Sequence, residues 1–168
     1  MKKIPTDLLS LAGEYRVCSE LIKRGVFATI TYGNRKSVDL YALGDRKQPA
    51  LKIEVKTNQT SKGDFVTGIT QKGLFDSPDA PDFWVLFQIR PKEDGEFKER
   101  FFVLTHKEIC KIQAAVNQVY SDGYVKRKGR QPDLSKGVDN VTVADVEKHE
   151  DEWDKIVSCV LGPSSQLA

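Results

Sequence analysis

The tripeptide Glu54-Val55-Lys56 follows Asp39 by one hairpin's length, Asp39 lying in the run Ser37-Val38-Asp39-Leu40. Two carboxylates and an ammonium at this spacing suit phosphodiester cleavage. Hard carboxylate oxygens can converge on one Mg²⁺, and a cation can stand near the attacked phosphate. If residues 37–43 and 50–56 are strands joined by a turn near Arg46 and Lys47, Asp39 falls opposite Glu54, with opposed side chains about 5 Å apart. Period-two alternation sets Glu54 and Lys56 on one face, and Leu51, Ile53 and Val55 on the other, toward a core. Two acids opposed across a sheet repel, so a fold that keeps them has use for a cation between them. The competing reading is an amphipathic strand with Lys52, Glu54 and Lys56 as its solvated face and Asp39 at an edge.

Those residues need a scaffold. Pro5 and Thr6 open a helical pattern that runs to Lys23-Arg24 and stops at Gly25. Leu8, Leu11, Tyr15, Cys18 and Ile22 recur at spacings of three and four, and are expected to face the core. Glu14 borders that stripe and can reach inward at the helix edge. Residues 26–31, 37–43 and 50–56 then read as strands, each bounded by Gly, Asn or Pro. A polar stretch, Thr57-Asn58-Gln59-Thr60-Ser61-Lys62, follows the acidic strand.

The order helix, three strands, with Gly13-Glu14, then Asp39, then Glu54-x-Lys56, resembles the PD-(D/E)xK nuclease superfamily, which includes many type II restriction enzymes and archaeal Holliday-junction resolvases. The resemblance covers about residues 10–105. It implies a restriction-endonuclease-like core, with Asp39 as the motif aspartate, Glu54 as the second acid, Lys56 as the motif lysine and Glu14 as the helix glutamate of some branches. Val38 stands where the motif proline would be; proline is no ligand, so the site is unaffected. The resemblance further implies products with 5′-phosphate and 3′-hydroxyl ends.

The 168 residues can bury a sizeable core, and with 39% hydrophobic and 30% charged residues and a net charge of +2 the chain is nearly balanced. No apolar run approaches the ~20 residues of a membrane span, and Met1-Lys2-Lys3 leads into an amphipathic helix instead of a signal-peptide core. Cys18, Cys110 and Cys159 are far apart and odd in number, which favours reduced thiols in the cytoplasm and disfavours zinc. All three are expected in or near the core.

Downstream, residues 64–74 read as a short helix or an ordered loop; Gln71 could reach the site or DNA, a surface polar role being the competing reading. Residues 83–89 are a continuous apolar run and read as a buried central strand, followed by a second buried strand over 100–104. Thr105-x-x-Glu108 has capping-box spacing and opens a helix to about Tyr120, with Ile109, Ile112, Val116 and Tyr120 inward. The fold class is α/β, a mixed central β-sheet flanked by helices.

Residues 124–136 are expected to form a basic loop: Lys126-Arg127-Lys128-Gly129-Arg130 suits phosphate contacts, as do Arg35, Lys36 and Lys62 near the acidic hairpin. Residues 143–160 read as one acidic helix that packs through Val146, Trp153, Ile156 and Val160. His106 and His149 have no ligand-spaced partner and read as surface or cap residues. No phosphate-cradling glycine motif is present.

These readings place a single domain over 1–161, with a nuclease core about 6–120, a basic loop and helix over 121–161 and a tail from 162. They point to a Mg²⁺-dependent DNA endonuclease (Mn²⁺ as substitute) of restriction, repair or recombination type. Asp39, Glu54, Lys56 and Glu14 would be catalytic, and Asp39, Glu54 and the Val55 carbonyl would be the metal ligands. DNA, duplex or branched, would be the partner, and double-strand cleavage would need a homodimer or sequential nicking. The alternative is a nucleic-acid-binding module without turnover, or a partner-binding domain.

Overall fold

The computed structural model describes residues 3–31, 38–44, 49–60, 63–134 and 139–162. Helix α1 spans Thr6–Lys23, and strands β1 (Phe27–Ile30), β2 (Leu40–Leu43) and β3 (Leu51–Asn58) follow it. Next come the short β4 (Phe65–Val66), the long β5 (Phe83–Pro91) and β6 (Phe97–Thr105), then α2 (His106–Lys128). The chain closes with β7 (Asn140–Val141), α3 (Val143–Val146), a 3-10 turn (Glu147–His149) and α4 (Asp154–Leu161). A five-stranded sheet has the order β1-β2-β3-β5-β6, with β3 and β5 parallel and its other neighbours antiparallel; β4 and β7 form a separate antiparallel pair. This is the mixed, helix-flanked sheet expected from the sequence.

Each sheet face carries its own core. Ile53, Val55, Val85, Phe87 and Val103 pack against Val17 and Leu21 of α1 and Ile156 and Val160 of α4. On the other face Trp84, Leu86, Phe102 and Leu104 meet Ile109 of α2 together with Phe65, Ile69 and Val141. Strand β5 is buried on both faces, hence its unbroken apolar run.

Helix α1 buries a different face from the one expected. Leu9, Gly13, Glu14, Val17 and Leu21 point inward, whereas Leu8, Leu11, Tyr15 and Ile22 are exposed, and Cys18 is half-buried. Both stripes have helical spacing, and the choice turns on Gly13. A Cβ at that position would stand 1.9 Å from Thr57 Oγ1, so only glycine lets the helix backbone lie this close to β3.

Two other elements correct the sequence reading. Helix α2 does not stop near Tyr120; it runs through Gly123 to Lys128 and ends on Gly129 in the left-handed conformation, its N–H donating to Val125 O at 2.8 Å. The capping box at Thr105 and Glu108 is present, but Ile112, Val116 and Tyr120 are only half-buried, and Cys110, Gln113 and Asn117 join Ile109 inside. The acidic segment is not one helix. Asp151 adopts φ 56°, and its N–H donates to Phe101 O at 2.8 Å, so the chain leaves the helical path to bond along β6. Val146, Trp153, Ile156 and Val160 are buried as expected, but Cys159 is exposed. His149 is buried, with Nδ1 2.8 Å from Glu152 Oε2, and His106 accepts from Trp84 Nε1–H at 3.1 Å, so neither is a plain surface residue. Residues 64–74 form β4 and a run of turns, the ordered-loop alternative of the sequence reading. Among the described residues no helix is long and apolar enough to cross a membrane.

Candidate active site at the β2–β3 edge

Asp39 immediately precedes β2 and is pinned on both sides. Thr31 N–H donates to Asp39 O at 2.9 Å, and Asp39 N–H donates to Ile53 O at 3.1 Å. Its carboxylate turns toward β3, where Val55 N–H donates to Oδ2 at 2.8 Å. Leu40 pairs with Ile53, so one residue outward Asp39 stands opposite Glu54. Lys56 shares that face, its Nζ 2.5 Å from Glu54 Oε1. The ladder to β5 pairs Glu54 with Trp84 and Lys56 with Leu86, so this face looks toward the α2 layer.

Burial pushes the Glu54 carboxyl above its usual range. Lys56 opposes that shift, the Asp39 charge adds to it, and Lys72 weakly opposes it. Burial first, and the facing Asp39 after it, thus disfavour the ionised Glu54.

Among the described residues the β2–β3 ladder ends at Leu40 and Ile53, whereas β3 continues to Asn58. A cavity of about 390 Å³ opens along this stretch of β3. Helix α1 contributes Thr6, Ser10 and Glu14 to its wall, β3 contributes Val55, Lys56 and Thr57, and Asp39, Asp64 and Val66 complete it. Glu14 is only 6% exposed and enters from the α1 side of the sheet. Thr57 Oγ1 is buried without a hydrogen-bond partner among the described residues. Glu54 does not line the cavity; its carboxylate is turned onto Lys56.

The donor chemistry fits a hard divalent cation. Asp39 and Glu54 supply carboxylate oxygens, and the Val55 carbonyl lies on the strand edge from which Val55 N–H meets Asp39, because N–H and C=O of one strand residue point to the same side. Among the described residues no three His, Cys, Asp or Glu side chains are grouped as a ready cage. An ion here would complete its shell with water, as Mg²⁺ usually does.

The structure brings Asp39, Val55, Lys56 and Glu14 to one cavity, with Glu54 behind Lys56. It does not bring the C-terminal cations there. Lys126, Arg127 and Lys128 form the last turn of α2, with Arg130 just past its glycine cap, so the expected basic loop is largely a helix end. Cations at that position favourably meet the helix dipole, which accounts for them without a ligand. Arg35, Lys36 and Lys62 lie outside the described residues.

Thr57 opens the polar stretch that the sequence sets beside the acidic strand, whereas sequence reading missed Thr6, Ser10 and Asp64 as cavity residues, and Lys72 as a charge felt by Glu54. Thr6, Ser10 and Glu14 do carry a signal, a polar stripe at i, i+4 and i+8. Lys72 carries none, because only the tertiary fold brings its turn to β3.

No protein-family model matches the chain, and no curated protein matches it. Among solved structures, a bacterial homing endonuclease, I-Ssp6803I, superimposes with a TM-score of 0.45 and 18% identity, over 92% of this chain and 93% of that one.

Proposed function

We propose that the protein is a Mg²⁺-dependent DNA endonuclease of the PD-(D/E)xK type. The observation that carries this reading is the opposition of Asp39 and Glu54 across β2 and β3, with Lys56 on the same face and Glu14 entering the adjoining cavity. Asp39, Glu54 and the Val55 carbonyl would hold the ion. When bound, Mg²⁺ polarises the scissile phosphate and lowers the pKa of a coordinated water.

The chain's own residues do the rest. Asp39 is oriented in advance by Val55 N–H, which keeps one carboxylate oxygen aimed along β3. Lys56 holds its Nζ 2.5 Å from Glu54 Oε1 and would offer its ammonium to the charge that develops on the phosphate. Glu14 orients water at the helix edge.

Incubation with supercoiled, linear, single-stranded and branched DNA, each with Mg²⁺ and with EDTA, tests the proposal. Strand scission in Mg²⁺ that leaves 5′-phosphate ends and disappears in EDTA is expected. Intact DNA in every Mg²⁺ reaction would sink it. A second reading has the 2.5 Å contact between Lys56 and Glu54 in its favour: a nucleic-acid-binding or structural domain in which the charges merely pair. In that case Mn²⁺ would show no binding that depends on Asp39 and Glu54.

A further inference from the structure

Helix α1 has two apolar faces, and the fold of one chain buries only one of them. The outer stripe, Leu8, Leu11, Tyr15, Cys18 and Ile22, advances by three and four residues in turn, the spacing of a helix–helix seam. It stands in solvent: Leu8 is 54% exposed, Leu11 39%, Tyr15 51% and Ile22 55%. The charges of the helix keep off it. Arg16 reaches Glu99 and Glu20, and Lys23 and Arg24 also reach Glu20. Single exposed apolar residues are ordinary, whereas a continuous stripe marks a surface for a partner.

Beside the stripe lies an open sheet edge. Along β6, Asp151 N–H donates to Phe101 O at 2.8 Å and Glu150 bridges Phe102, so that edge is covered. Among the described residues nothing pairs with the outer edge of β1. Thr31 N–H donates to Asp39 O, so alternation turns the backbone groups of Phe27 and Thr29 toward β2 and those of Ala28 and Ile30 outward. Ala28 O meets the Cys18 thiol at 3.4 Å, which ties the edge to the stripe. The strand carries none of the devices that blunt an edge: it has no lysine and no proline, and its ladder with β2 is unbroken. Between stripe and edge runs a groove of about 420 Å³, walled by Tyr15, Cys18 and Ile22 on one side and by Ala28 and Ile30 on the other.

We propose that the outer stripe of α1 and the free edge of β1 together form the surface on which a second copy of this chain docks about a two-fold axis. Strand β1 pairs antiparallel with its counterpart, and the two α1 stripes face each other across the axis. Antiparallel strands and antiparallel helices both map onto themselves under a two-fold rotation, as an isologous contact requires. The size fits as well. At about 200 Å² for a fully exposed large apolar side chain, the stripe and Phe27, which is 64% exposed at the same edge, offer on the order of 500 Å² of apolar surface. A standard interface takes ~800 Å² per partner, somewhat over half of it apolar. A foreign protein would need a free strand and an apolar stripe in matching positions; a second copy brings both. The active-site cavity uses another face of α1, through Thr6, Ser10 and Glu14, and stays open in this arrangement. The inference does not rest on the nuclease reading.

The test uses the full chain in EDTA without DNA, by sedimentation velocity from low to high micromolar concentration. Wild type should pass from monomer to a species of twice the chain's mass. Leu11→Glu/Ile22→Glu should raise the dimer dissociation constant on the order of 100-fold or more, since charges would be set against an apolar partner. Phe27→Lys should raise it about tenfold, by placing a lysine beside the pairing edge. Ile22→Leu should leave it within a few-fold. These side chains are exposed in the single chain, so circular dichroism of the dilute variants should match wild type. A second measurement needs no variant to fold: amide exchange at Ala28 and Ile30 in wild type should slow by about tenfold or more as the dimer forms. A wild type that stays monomeric throughout overturns the proposal, as does a dimer whose dissociation constant is unmoved by Leu11→Glu/Ile22→Glu. Fast exchange at both amides in a dimer removes the strand pairing and with it the proposal. A protein that dimerises through this face but never cuts DNA upholds the proposal and removes the nuclease reading alone.

Discussion

Charge is organised in opposite ways on β3 and beyond β6. Beside β6 four glutamates meet two cations. Arg100 Nη2 lies 3.1 Å from Glu147 and 2.6 Å from Glu150, and Lys155 Nζ lies 2.8 Å from Glu108 and 2.5 Å from Glu152. Burial acts to raise the Glu108 carboxyl, but hydrogen bonds from Lys155 and Thr105 outweigh it and hold it down at about 2. On β3 the balance reverses. Burial and the facing Asp39 overcome Lys56, and the Glu54 carboxyl moves up. Paired acids that titrate low stabilise a fold, whereas an acid that titrates high beside another acid is costly to the metal-free fold and is better matched to a cation. The difference lies in surroundings, not composition, since both regions mix Glu with Lys.

The sharpest way to break this contrast is to remove charge on the β3 side and measure chemistry. Asp39→Ala should abolish both cleavage and Mn²⁺ binding. Lys56→Ala should lower cleavage by roughly 10³-fold or more while DNA affinity stays within a few-fold, because that lysine acts on the transition state. Undiminished cleavage by either variant would show that β3 is not the reactive strand.

The same contrast explains what could be read from the sequence. The acid pair was legible because strand alternation and hairpin register are local rules, and Leu40 pairing with Ile53 obeys them. The buried strand β5 was legible for the same reason. The inward face of α1 was not, because two stripes had equal spacing and the contact of Gly13 with Thr57 is tertiary. The break at Asp151 escaped notice because its cause is a bond to Phe101, fifty residues upstream. The turn at Thr70 and Gln71 was out of reach too: Asp139, whose carboxylate accepts both their N–H groups, is far away in sequence and looks like any other aspartate.

A smaller effect is expected on the β6 side, and it concerns stability, not catalysis. Arg100→Ala removes the cation shared by Glu147 and Glu150 and its stacking over Phe102, 5.0 Å from the ring centroid. A loss of about 1–2 kcal/mol, read as a Tm lower by roughly 2–8 °C, is expected, with cleavage at permissive temperature near wild type. For Glu108 the sign with pH is fixed. Its stabilisation is full above the ordinary 4.5 and fades as pH falls toward about 2. Urea midpoints measured from pH 5 downward should therefore drop more steeply for wild type than for Glu108→Gln. Equal slopes would show that the Lys155 pairing contributes nothing.

The smallest effect is the most discriminating, because it has the opposite sign. A raised carboxyl contributes stability in its protonated form, present below the ordinary value and lost as pH rises through the folded one. Glu54 should therefore make the metal-free protein less stable as pH climbs above about 4.5, where the unfolded chain ionises first. Glu54→Gln mimics the protonated state and should raise the Tm in EDTA at neutral pH by on the order of 1–3 °C, even though it deprives Lys56 of its partner. Adding Mn²⁺ should stabilise the wild type and leave Glu54→Gln nearly unmoved, closing or inverting the gap, since an ion that binds only the folded state stabilises it by mass action. A Glu54→Gln protein that is less stable than wild type in EDTA would mean that the Lys56 pair outweighs burial and Asp39. The β3 charges would then be a structural ion pair like those beside β6, and the contrast between the two regions would disappear.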